Sequence, residues 1–114
     1  MARRSLFPEA VESYLSGLTR ESPVATRLRA ETARLLPSQL GMQIGPDQAA
    51  LFALLVKLTG VRRAIEIGTF TGMSALAVAA ALPADGRLVC CDVSEEWTRI
   101  ARRHWQEAGV AELF

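Results

Sequence analysis

The sequence predicts an α/β domain built on a parallel sheet, and three observations carry that prediction. A short apolar run, Ala64-Ile65-Glu66-Ile67, leads into a turn bracketed by Gly68 and Gly72, then into small and apolar residues from Met73 to Leu82 at helical density. A second run from Arg87 to Val93, R-L-V-C-C-D-V, is continuous rather than alternating, the pattern of a parallel strand covered on both faces. Each run is followed by a helical pattern, and strands that alternate with helices require right-handed crossovers.

Three helices are predicted ahead of the first strand. Pro8 to Leu15 forms a short one ended by Gly17, with Val11 and Leu15 one turn apart on its apolar side. Ser22-Pro23 is a cap followed by a first-position proline, and Val24, Leu28, Leu35 and Leu36 lie close to helical spacing until Pro37 stops the helix. Leu40 to Pro46 reads as an irregular link. Pro46-Asp47 opens a third helix through Leu58, whose broad apolar face is Ala50, Leu51, Leu54, Leu55 and Leu58, with Gly60 ending it. After the second strand, Ser94 caps a helix with Glu95 and Glu96 in its first turn, running to Ala108 and Gly109. Its apolar face gathers Trp97, Ile100, Ala101, His104, Trp105 and Ala108, so His104 is expected as packed core and not as a base.

Residues 1–60 are thus read as an N-terminal helical region and residues 61–114 as the first β-α-β-α part of one incomplete domain. Two strands make a very small parallel sheet, against an ordinary five or six. A third strand is expected to begin near Val110 to Phe114, so the sequence reads as the N-terminal portion of a larger doubly wound domain.

Composition excludes several classes. The 114 residues are 50% hydrophobic and carry a net charge of +1, so nothing calls for nucleic acid or an anionic membrane as partner. The arginines, Arg3, Arg4, Arg20, Arg27, Arg29 and Arg34 among them, are interspersed with Glu9, Glu12, Glu21 and Glu31, as on a solvated helix face. The start, M-A-R-R-S-L-F-P, runs into acids and not into an apolar h-region, so no signal peptide is read, and a cytoplasmic location is expected. Cys90 and Cys91 are adjacent in a strand and point to opposite faces, which argues against a disulfide between them.

The chemistry lies where ligands bind in such sheets, beyond the carboxyl ends of the strands. Two features occupy that edge: the turn Gly68 to Gly72, and Asp92, twenty residues past Gly72, placed to accept hydrogen bonds from a ribose diol. A dinucleotide fingerprint needs a glycine where this chain has Phe70, which disfavours a nicotinamide-dependent oxidoreductase. Glu66 sits inside the apolar run, where it would repel phosphate but suit a cationic ligand. S-adenosylmethionine fits that demand, with an ammonium, a sulfonium and no phosphate.

The strings A-I-E-I-G-T-F-T-G-M-S-A-L, C-C-D-V, W-Q-E-A-G-V and the upstream G-M-Q-I-G-P-D-Q together resemble the cation-dependent O-methyltransferases of the caffeoyl-CoA and catechol type. The resemblance runs from about Leu35 to the end. It implies a Rossmann-like S-adenosylmethionine methyltransferase fold and transfer of the sulfonium methyl to a hydroxyl of a catechol-like small-molecule acceptor. It also implies that the loop matching Met42 to Ile44 lies over the cofactor. Glu66 and Gly68 match positions around its methionine moiety, Phe70 lines the pocket, Ser74 matches a contact to the carboxylate, and Asp92 matches the ribose acid. A divalent cation of Mg type belongs to the family reaction, but the positions matching its ligands lie beyond Phe114, and Asp85, Glu95 and Glu96 form no cluster on one edge. The N-terminal helices of such enzymes pack around a dimer or substrate region, so a homodimer or higher oligomer is expected. The alternative reading is a non-catalytic dimerisation or cofactor-binding module that pairs through the edge of the Ala64 to Ile67 strand.

Overall fold

The computed structural model describes residues 6–114. The expectations for Arg3, Arg4 and the first residues of the chain lie outside the described residues. Among the described residues, five α-helices and two strands follow in order: α1 (Glu9–Leu18), α2 (Pro23–Leu35), a 3₁₀ turn (Pro37–Met42), α3 (Pro46–Thr59), β1 (Arg63–Ile67), α4 (Met73–Ala81), β2 (Arg87–Cys91), α5 (Glu95–Glu107) and a closing 3₁₀ turn (Ala111–Leu113). β1 and β2 pair in parallel, with Ile65 opposite Val89 and Glu66 opposite Cys90. Among the described residues no helix is long and apolar enough to cross a membrane.

Local chemistry sets the boundaries. Ser22 caps α2 by accepting from the Ala25 N–H, and Pro23 takes the first position, where a missing N–H costs nothing. Ser94 caps α5 in the same way through the Trp97 N–H. Gly17, expected to end α1, lies inside it. The helix continues to Leu18, because the Thr19 N–H and hydroxyl both bond the Leu15 carbonyl and satisfy the last turn. Part of the expected irregular link is the 3₁₀ turn, which Pro37 begins.

The core is built from Leu28 of α2, Met73, Ala75, Leu76 and Ala79 of α4, Leu88 of β2, and Ile100, Ala101 and Trp105 of α5. His104 is buried with them, as its place on the apolar face of α5 requires. Its Nδ1 lies 2.9 Å from the Ile100 carbonyl and its Nε2 3.1 Å from Glu31. Trp105 stacks on Phe114 at 3.6 Å.

Two packing expectations are corrected. β2 ends at Cys91, and the sheet is covered on one face only: Ile65, Ile67 and Val89 are 75%, 87% and 56% exposed. An unbroken apolar run records that both faces suit burial, but not whether this chain supplies both covers. The apolar face read for α3 is likewise open, with Leu51, Leu54, Leu55 and Leu58 exposed and Phe52, Ala53 and Val56 half-buried. α3 is apolar almost all round, so periodicity alone could not choose the side that α4 takes.

Candidate functional site

The site forms where the sheet ends. The last bond of the ladder runs from the Gly68 N–H to the Cys91 carbonyl at 2.8 Å, after which both chains leave the sheet on the same edge. The turn from Gly68 to Gly72 then needs three positive φ angles: Gly68 at 89°, Phe70 at 53° and Gly72 at 90°. Two of the three are glycines, which take this region without steric cost. They serve different ends. A Cβ on Gly68 would meet nothing within 4 Å, leaving open space above the turn. A Cβ on Gly72 would lie 2.7 Å from Ala101 Cβ and 2.8 Å from Trp105 Nε1, so this glycine lets α5 approach α4.

Phe70 holds its left-handed backbone with help from two sides. The residue is 6% exposed, and its ring meets Trp97 edge-on, centroids 5.1 Å apart. Its N–H, together with that of Thr69, donates to Asp92 Oδ2 at 2.8 and 2.9 Å. Asp92 Oδ1 accepts from the Ser94 N–H at 3.0 Å. These backbone donors, Phe70 first, hold the Asp92 carboxyl below its ordinary range against a smaller opposing effect of burial. Asp92 is therefore an anion that ties the first turn to the second.

Glu66 and Ser74 form the other half. The Ser74 hydroxyl donates to Glu66 Oε2 at 2.6 Å, while Glu66 Oε1 is buried without a partner among the described residues. Burial pushes the Glu66 carboxyl up, the Ser74 bond opposes this, and Asp92 adds a smaller upward push. When Glu66 is ionised, Ser74 has spent its one proton on it and the pair presents only acceptors, an arrangement that suits a cation. Burial likewise pushes the Cys90 thiol, facing Glu66 in the register, up to about 11.

Of the two loop residues expected over the cofactor, Ile44 is tied to α2. Met42 is 54% exposed, and Ile44 packs on the core. The Ile44 carbonyl accepts from Arg29 Nη1 at 2.8 Å. One turn further along α2, the Thr32 hydroxyl lies 2.8 Å from that of Thr71. Arg29, Thr32, Thr71 and Trp97 are the residues that sequence reasoning passed over as structural parts of the site. Only Thr71 lay inside a motif, and Arg29 looked like any arginine on a solvated face. A cavity of about 680 Å³ between β2, α5 and the closing 3₁₀ turn borders this edge through Thr69 and does not include the expected residues. Among the described residues no three His, Cys, Asp or Glu gather in a metal-binding group.

Comparison with known proteins decides the kinship. The sequence model of a family described as O-methyltransferase matches residues 15–114. The chain belongs to the O-methyltransferase family. It is 42% identical over 96 residues to the mouse catechol O-methyltransferase domain-containing protein 1, covering 84% of this chain and 36% of that protein. It is 33% identical over 112 residues to the caffeoyl-CoA O-methyltransferase of Populus kitakamiensis, covering 96% of this chain and 48% of the relative. Among solved structures, the O-methyltransferase TomG from Streptomyces achromogenes, in complex with SAM, superposes with a TM-score of 0.81 at 34% identity, over 91% of this chain and 46% of that one. The chain thus spans less than half the length of each, and its architecture is that of an S-adenosylmethionine-dependent methyltransferase sheet in part.

Proposed function

We propose that this chain is the cofactor-binding portion of an S-adenosylmethionine-dependent O-methyltransferase, acting on a hydroxyl of a small catechol-like or caffeoyl-CoA-like acceptor. The observation that carries the reading is Asp92, held as an anion against the Thr69 and Phe70 N–H groups at the carboxyl edge of the sheet. A carboxylate fixed there meets a ribose diol entering over the turn, and the hydroxyls share its oxygens with the turn.

The other residues take distinct parts. Glu66, whose Oε1 has no partner among the described residues, and the lone pairs of Ser74 receive the ammonium of the methionine moiety. For Ser74 to contact the carboxylate instead, its proton must first leave Glu66. Gly68 leaves room for the ligand, Phe70 braces the turn from within, and Met42 and Ile44 form the loop over it. S-adenosylmethionine supplies the electrophilic methyl; the chain's own residues bind and orient it. They assemble no metal cluster among the described residues. The 114-residue chain alone is expected to turn over no catechol. The reading further places the protein in the cytoplasm, where the free thiols Cys90 and Cys91 stay reduced, as a homodimer or higher oligomer.

The test is a calorimetric titration with S-adenosylhomocysteine of the 114-residue chain and of Asp92→Ala. Binding that the variant weakens about tenfold or more, the scale of charged hydrogen bonds, supports the reading. A parent chain that does not bind overturns it.

A further inference from the structure

The guanidinium of Arg29 makes two kinds of contact at once. Nε and Nη2 donate to Oε2 and Oε1 of Glu21 at 3.1 and 2.6 Å, a two-pronged grip, while Nη1 donates to the Ile44 carbonyl at 2.8 Å. The same Nη1 lies 3.4 Å from Gln43 Oε1, and Gln43 is 8% exposed. Glu21 stands just before the cap of α2, so the fork fixes the plane of the guanidinium and aims its remaining edge at the loop. Both charged side chains are largely withdrawn from water, 27% and 15% exposed, so solvent does little to loosen the grip.

We infer that Arg29 is a positioning residue: it sets the place of the loop Met42–Ile44 and, through it, the affinity for the cofactor. The inference rests on the proposed S-adenosylmethionine site. Its geometric side is that α2 holds two separate segments from positions one helical turn apart, the glycine turn through Thr32 and Thr71 and the loop through Arg29 and Ile44. A lysine cannot substitute, because a single ammonium on a flexible stem cannot grip both Glu21 oxygens in a fixed plane while reaching Ile44.

Two measurements on the 114-residue chain test this with the parent, Arg29→Lys and Arg29→Ala. The first is amide hydrogen exchange, without ligand, in peptides covering residues 37–48 and, as control, the sheet residues 63–67 and 87–91. The second is titration with S-adenosylhomocysteine. The expected result is roughly tenfold faster exchange in 37–48 with the sheet unchanged in both variants, and cofactor affinity lowered about tenfold in both. Unchanged exchange in 37–48 overturns the inference, as does a loosened loop that binds as tightly as the parent's. Arg29→Lys retains the charge and guards against a variant that does not fold. If the parent does not bind but the variants loosen the loop, the proposed function fails while the hold of Arg29 on the loop is upheld.

Discussion

The hydroxyls of Thr71, in the glycine turn, and Thr32, on α2, meet 2.8 Å apart with both side chains fully shielded from solvent. Thr32 gives its own proton to the Leu28 carbonyl at 2.8 Å, so Thr71 is the donor of the pair. A turn that carries three positive φ angles is thereby fastened to a helix thirty-nine residues upstream.

This order of donors makes the two threonines unequal. Thr32→Val leaves the Thr71 hydroxyl buried without an acceptor and should cost about 1–3 kcal/mol of unfolding free energy. Thr71→Val leaves Thr32 its bond to Leu28 and should cost less. The double variant should cost less than the sum, read from urea unfolding curves. Equal single costs that add would show the pair to be uncoupled.

The two turn glycines should differ in the same assay. Gly68→Ala meets open space and bears only the strain of a positive φ, about 1–2 kcal/mol. Gly72→Ala bears that strain and also drives a methyl into Ala101 and Trp105, so it should be clearly the more destabilising and should disturb Trp105 fluorescence.

Glu66 separates stability from binding. Burial holds its carboxyl above the ordinary 4.5, so its contribution to folding is present while it is protonated and is lost as pH rises through the raised value. Glu66→Gln, which carries no charge, should therefore unfold at a higher temperature than the parent at pH 7. The gap should close below pH 4.5, where both forms of the parent are protonated. The same variant should bind S-adenosylhomocysteine about tenfold more weakly, the scale of one charged hydrogen bond.

Asp92 titrates in the opposite sense. Its carboxyl is held below the ordinary 3.8, so its contribution is present above that value and is lost as pH falls through the lowered one. Amide exchange of Thr69 and Phe70, whose N–H groups it holds, should stay slow to pH 3.8 and accelerate below it relative to the strand amides. In Asp92→Asn, which does not ionise, that acid-dependent step should be absent.

Much of the fold was legible because local rules wrote it. Ser22-Pro23 and Ser94 opened their helices as capping chemistry dictates, and the face of α5 carrying Ile100, Ala101, His104 and Trp105 is the buried one. Gly17 misled because a hydroxyl two residues on, Thr19, could satisfy the helix end without a break. α3 misled because leucines on several sides carry no directional signal. In the site, Glu66, Gly68 and Asp92 stood out as exceptions to a strand-turn-helix pattern, a carboxylate in an apolar run, a turn glycine and an acid at a strand end, whereas Met42, Ile44, Phe70 and Ser74 were named as site residues only through the family resemblance.

The sequence by itself determined the order of elements, the parallel pairing and the residue types at the carboxyl edge, since each follows from periodicity, capping and chain direction. Tertiary structure alone decided which groups are spent on one another. Ser74 gives its proton to Glu66, Asp92 takes the N–H groups of the turn, and Arg29 and Thr32 fasten loop and turn to one helix. The physical reason is that a hydrogen bond depends on where two groups meet in space, and partners separated by 8 to 39 residues leave no trace in local pattern.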